Sequence, residues 1–278
     1  MLTRYLQKGV MISHKNIIAN TLQITTTEKP TRDAQKEPGT DEYLENTLGL
    51  LPLSHIYGLV VVAHASAYRG DSTIILPKFE MKTFLTAIQT YKINGLYIVP
   101  PIIIQMAKNP KILSQYDLSS VRYIYTGAAP TGKETLDDLR SQYPSWVAKQ
   151  AYGLTETSTL VSVTIPSDVW FGSSGSFVSG IECKVTDPEG NEITEYNTPG
   201  ELWVKGPAVT LGYLKNEKAT KETFIDGYMR TGDEVEMRKG PNGHEHVFIV
   251  DRIKELIKVK ASNPPPPPSP YHYVLIHL

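Results

Sequence analysis

Residues 152–158, Tyr152-Gly153-Leu154-Thr155-Glu156-Thr157-Ser158, set hydroxyls and one carboxylate beside a small turn. Such a group can hold phosphate oxygens and a Mg²⁺ together, because Mg²⁺ takes one or two carboxylates and completes its shell from substrate phosphates. The same residues also fit a helix N-terminus, with Thr155 as cap and Glu156 in a first turn where the dipole favours acids. On these residues alone the two readings stand even.

Three further words carry donors and small residues. Tyr125-Thr126-Gly127-Ala128-Ala129-Pro130 would let a flat base or ribose approach the backbone, though alone it is an ordinary strand-to-helix turn. In Tyr228-Met229-Arg230-Thr231-Gly232-Asp233, the carboxylate after a glycine suits ribose hydroxyls, or is a surface turn Asp. Residues 250–258, from Val250 to Lys258, join a strand end to a charged stretch that also reads as a solvated helix face.

The elements around these words are α/β in pattern. Met81, Phe84, Leu85 and Ile88 fall at i, i+3, i+4 and i+7, one face of a helix. Apolar strands starting near 96, 122 and 147, each followed or preceded by a helical pattern, predict right-handed βαβ crossovers. Both the 125–130 and 152–158 words then sit at the carboxyl ends of strands, where open parallel sheets bind ligands. Past Thr159 short β-type segments and turns take over, notably at 197–200 and 240–243. The expected fold is a parallel sheet with flanking helices over roughly 46–165, then a smaller β-rich, barrel-like subdomain from about 170 to 250. As domains this gives 1–168, 169–250, a hinge-like segment 251–261 and a proline-rich tail 262–278. Residues 27–46 read as a polar surface loop, and 172–176 as a barrel-entry loop because no lysine or helix follows the glycines. Five consecutive prolines from Pro264 predict an extended, poorly packed end.

Composition narrows the partners. A formal net charge of −1 gives no reason to expect nucleic acid. Cys183 is the only cysteine, so an intrachain disulfide and a CxxC metal or redox site are excluded. No apolar run is long enough to span a membrane and no secretory leader is evident, so an intracellular, cytoplasmic protein is expected.

The words at 125–130, 152–158, 228–233 and 250–258, in this order, resemble the signatures of the adenylate-forming superfamily of AMP-dependent ligases. Leu51-Pro52-Leu53-Ser54-His55-Ile56-Tyr57-Gly58 is similar to another of its motifs, and residues 8–14 to the end of its phosphate loop. The likeness spans nearly all of residues 8–261 and is strongest to 4-coumarate–CoA ligases and related acyl-CoA synthetases, which also admit a peroxisomal location.

That resemblance implies the fold of a partial N-terminal domain, the cofactors ATP, Mg²⁺ and coenzyme A, and an aryl or fatty carboxylic acid as substrate. It implies that Thr155 and Glu156 hold the α-phosphate and the metal. Gly127, Ala128, Ala129 and Pro130 would line the adenine and acyl pocket, with Tyr152 and Gly153 beside the base. Asp233 and Arg252 would take the ribose hydroxyls, and His55 would border the acyl pocket, although a plain loop histidine is the default elsewhere. Lys254 matches the hinge position and Lys258 a lysine near the thioester-forming site. The residues upstream of Lys8 and downstream of Lys260 depart from the family, so the chain is expected to be truncated at both ends and impaired in turnover. A non-catalytic nucleotide- or acyl-binding protein, and an interaction module using the proline run, stay open as alternatives.

Overall fold

The computed structural model of the 278-residue chain describes residues 8–36, 40, 43–127 and 133–253. Helix α1 (His14–Asp33) starts at Ser13, whose hydroxyl accepts from Asn16 N while the Asn16 side chain accepts from Ser13 N. This reciprocal cap satisfies two of the backbone donors that a helix start leaves orphaned. The first strand pair is β1 (Asn46–Gly49) and β2 (Ser72–Ile75), linked by a π-helical segment (Tyr57–His64) and helix α2 (Ala65–Arg69). Then follow α3 (Met81–Tyr91), β3 (Gly95–Ile98), α4 (Pro100–Ala107), α5 (Pro110–Leu113), β4 (Tyr123–Thr126), α6 (Lys133–Gln142) and β5 (Val147–Leu154). Strands β6 (Thr159–Val163) and β7 (Ser176–Phe177) complete a seven-stranded sheet of order β2-β1-β3-β4-β5-β6-β7.

Strands β1 to β5 pair in parallel, and β6 and β7 are added antiparallel, so the α/β expectation holds. Period-two alternation divides the sheet between two cores. Leu96, Ile98 and Ile124 pack with Phe84, Leu85, Ile88 and Met106 on one face. Tyr97 and Tyr125 pack with Ile24, Val60 and Val61 on the other. Helix α3 buries the stripe its sequence predicts, capped by the Glu80 carboxylate on Lys82 N and Thr83 N.

The second sheet is antiparallel: β8 (Glu182–Thr186), β9 (Glu192–Ile193), β10 (Pro199–Lys205), β11 (Phe224–Ile225), β12 (Tyr228–Lys239) and β13 (Glu245–Arg252), with helix α7 (Glu217–Thr223) before β11. Its core is Val185, Leu202, Val204, Met229, Val235 and Val247, joined by Val161 of β6. Residues 172–176 stitch the two sheets: Ser174 N donates to Val247 O, and Val247 N to Gly175 O. At Gly175, with φ +84°, an added Cβ would lie 2.0 Å from the Val163 carbonyl. A side chain there would clash with backbone, which explains the glycine.

The surface-loop reading of 27–46 fails in its first part, because residues 27–33 are the last turns of α1. Their polarity serves a buried ion network rather than solvent. Arg69 bonds Glu28 at 2.6 Å and Asp71 at 2.8 Å, while Arg32 bonds Asp71 at 2.6 Å and Glu45 at 2.7 Å. Further up α1, the Asn20 amide both donates to Leu160 O and accepts from Leu160 N, and Asn16 donates to Pro207 O and Val209 O. A buried amide face of this kind looks like a solvent face in sequence, yet it fixes β6 and the segment 207–209 that follows β10.

Candidate active site

The 152–158 word is a hairpin tip. Strand β5 continues through Tyr152, Gly153 and Leu154. Thr155–Thr157 then make one 3₁₀ turn rather than the start of an α-helix, and the chain returns as β6. The helix-cap reading of Thr155 is therefore corrected. Sequence cannot foresee this, because one local bond and two long-range ones close the turn. Leu154 N donates to Thr157 Oγ1 at 3.0 Å, Ser158 Oγ donates to Ala208 O, and Thr159 Oγ1 donates to Ile56 O at 3.0 Å.

The tip is strained. Ser158 (φ +54°) and Thr159 (φ +121°) both adopt left-handed backbone, which costs a β-branched residue the most. Gly153 makes the closure possible: a Cβ there would fall 1.4 Å from the Thr159 carbonyl oxygen. Strain held by surrounding hydrogen bonds at a hairpin tip is a feature that clusters at functional sites.

Glu156 is half-buried and its Oε1 accepts from the Tyr213 hydroxyl at 2.7 Å. Among the described residues it forms no ion pair. Thr155 beside it is exposed. Burial, and then the Glu156 hydrogen bond, push the Tyr213 hydroxyl well above the ordinary tyrosine range, so it stays a donor at neutral pH.

Tyr152 donates from its hydroxyl to Asp233 Oδ2 at 2.6 Å, and Arg252 Nε lies 3.3 Å from Asp233 Oδ1. The register of β12 and β13 pairs Asp233 directly with Arg252. Asp233 is 3% exposed, whereas the Arg252 side chain is 61% exposed. Burial first, and then the Asp233 charge, raise the Tyr152 hydroxyl well above its usual value.

His55 stands exposed before the π-helical segment and accepts the Tyr57 N–H on Nδ1 at 3.1 Å. A neutral His55 therefore carries its proton on Nε2. Tyr57 donates to Tyr125 O, and Gly58 lets the 51–52 backbone fold against it, since a Cβ would sit 2.4 Å from Pro52 O.

These elements enclose a cavity of about 220 Å³, lined by His55, Tyr57, Gly127, Tyr152, Thr155, Glu156 and Arg252 among others. It brings together seven of the residues singled out in the sequence: His55, Gly127, Tyr152, Gly153, Thr155, Glu156 and Arg252. Asp233 is not on that wall and lies one layer behind, screened by Tyr152 and Arg252. Ala128, Ala129, Pro130, Lys254, Lys258 and the proline-rich tail lie outside the described residues. Three larger cavities, of about 230, 340 and 400 Å³, contain none of the motif residues. Tyr213 was missed by sequence reasoning, because nothing in its spacing links it to a carboxylate 57 positions earlier.

Among the described residues, no group of three or more His, Cys, Asp or Glu side chains forms a metal cage. The donor set still fits Mg²⁺: one accessible carboxylate beside a hydroxyl suits an ion that draws its other ligands from phosphates and water. Among the described residues no helix is long and apolar enough to cross a membrane.

An acyl-CoA ligase, lcsD of Purpureocillium lilacinum, is 43% identical over 95% of this chain and 67% of its own length. The 4-coumarate–CoA ligase of Pinus taeda is 38% identical over 93% of this chain and 47% of its own. A solved structure, the ATP-bound RpMatB-BxBclM chimera B3, superimposes with a TM-score of 0.77 at 27% identity, covering 90% of this chain and 46% of that one. The chain thus spans about half the length of most of the curated relatives it matches. The family of AMP-binding enzymes matches residues 6–214, and the chain belongs to it.

Proposed function

We propose that the cavity is the adenylate-forming site of an ATP-dependent acyl-CoA ligase acting on an aryl or fatty acid. The observation that carries this reading is the meeting of Gly127, Tyr152, Thr155, Glu156 and His55 on one cavity wall, from three separate stretches of chain. In this reading a substrate carboxylate oxygen attacks the α-phosphorus of ATP. The new P–O bond forms as the α–β anhydride breaks, leaving acyl-adenylate and pyrophosphate. The thiol of coenzyme A then attacks the acyl carbon, and AMP departs with the bonding pair.

For such displacements a protein mainly positions groups and stabilises developing charge. Gly127 and Tyr152 would flank the base. The exposed Thr155 hydroxyl would donate to an α-phosphate oxygen. Glu156 would hold Mg²⁺, which when bound offsets the negative charge of the phosphates. His55, with a proton on Nε2, would border the acyl end. Ribose hydroxyls would reach the buried Asp233 carboxylate once the largely exposed Arg252 side chain swings aside, their hydrogen bonds replacing that of the guanidinium.

The test is acid-dependent exchange of labelled pyrophosphate into ATP, across aryl and fatty acids, with Glu156→Gln alongside. Exchange abolished by the substitution supports the reading, and undiminished exchange contradicts it. AMP binding without any exchange would favour a non-catalytic nucleotide-binding protein instead.

A further inference from the structure

Three contacts from different parts of the chain meet on Tyr213. Its hydroxyl donates to Glu156 Oε1 at 2.7 Å, its ring carries Lys8 Nζ 4.5 Å from the centroid, and its backbone bridges Val10. The bridge is part of a longer zipper: Met11 N donates to Gly212 O, Leu211 N to Met11 O, and Leu214 N to Gly9 O. Tyr213 is 4% exposed, packs edge-on against Phe224, and donates its own N–H to Thr220 Oγ1 at 2.9 Å. The phenol is thus held rigidly, and among the described residues it is the only side chain bonded to the Glu156 carboxylate.

A carboxylate on a flexible stem can meet a cation through one oxygen or both. Two-oxygen binding suits Ca²⁺, whereas Mg²⁺ needs near-octahedral geometry and keeps room for phosphate and water. Resting on the adenylate-forming reading above, we propose that Tyr213 is the positioning residue for Glu156. It occupies Oε1, leaves Oε2 as the single oxygen offered to Mg²⁺, and ties that carboxylate to the segment bearing Lys8. Partners that orient a metal-binding side chain commonly cost about 10–100-fold in metal affinity when removed.

The test uses Tyr213→Phe, which keeps the ring, the Lys8 contact and the Phe224 packing but removes the hydroxyl. Calorimetry of ATP binding at graded Mg²⁺, and of AMP binding without metal, separates the two roles. The expected result is a half-saturating Mg²⁺ raised about tenfold, with metal-free AMP affinity within about twofold of the parent. On a Glu156→Gln background, Tyr213→Phe is expected to shift the Mg²⁺ dependence no further. An unshifted Mg²⁺ dependence in Tyr213→Phe overturns the proposal, as does a parallel loss of both affinities, which would mark Tyr213 as a support of the fold alone. A parent protein that binds neither AMP nor Mg·ATP would overturn the adenylate-forming reading itself, and this proposal with it.

Discussion

The hydroxyl of Tyr152 donates to Asp233 Oδ2 at 2.6 Å, tying the end of β5 to the middle of β12. This bond links the two sheets directly behind the cavity wall. A buried hydrogen bond to a charged acceptor contributes about 1.5–3 kcal/mol. Tyr152→Phe is expected to lower unfolding free energy by about that amount in urea titrations, and to weaken AMP binding by loosening that wall. A variant as stable as the parent would show that the two sheets are held together elsewhere.

Glycines in the two strand-end words should respond oppositely to a methyl group. Gly153→Ala places a carbon 1.4 Å from the Thr159 carbonyl oxygen, so the hairpin tip cannot close as it stands. A loss of about 3 kcal/mol or more is expected. At Gly127 the nearest atoms to an added Cβ are 3.6 Å away, an ordinary contact. Gly127→Ala should therefore melt within about a degree or two of the parent, and thermal scans of the pair decide the matter.

Arg69 is 6% exposed and shared by Glu28 and Asp71, themselves 8% and 0% exposed. Arg69→Met leaves two buried carboxylates short of a partner, with an expected cost of about 3–5 kcal/mol. The exposed pair Lys92–Asp117 is a control whose removal should be almost silent in the same urea titration. Equal effects from both would mean that the network is not buried in solution.

Asp168 predicts the acid limb of stability. Burial alone would raise its pKa, but hydrogen bonds from His244, His246 and Asn242 outweigh this and hold it below its ordinary value. A carboxylate with a depressed folded pKa stabilises above its unfolded value, near 4, and that stability is lost as pH falls through the folded value. Denaturant midpoints measured from about pH 6 to 2 should therefore drop for the parent and flatten for Asp168→Asn. Parallel curves would remove Asp168 from the account.

Strand-level order was legible in the sequence because Leu96, Ile98 and Ile124 alternate with residues buried on the opposite face, and Phe84, Leu85 and Ile88 keep strict helical spacing. On its own residues the 152–158 word stood even between a phosphate site and a helix start, and the 51–58 word was singled out only through its resemblance to a family motif. Three features were hidden by long-range closure. Glu28 and Arg32 look like solvent residues until Arg69 and Asp71 meet them. Asn20 looks like a weak helix residue until Leu160 uses both ends of its amide. Tyr213 looks like a loop aromatic until its hydroxyl meets Glu156.

The central claim, that the 220 Å³ cavity is the nucleotide site, is tested most directly by filling it. Gly127 lines the cavity and an added Cβ there meets nothing nearer than 3.6 Å, so Gly127→Leu is the variant that adds bulk at this wall. Calorimetry with a non-hydrolysable acyl-sulfamoyl adenosine should show one site per parent chain and an affinity at least about tenfold weaker in Gly127→Leu, or about 1.4 kcal/mol, at matched melting temperature. Equal affinity in the two proteins would contradict the account and place the adenylate elsewhere.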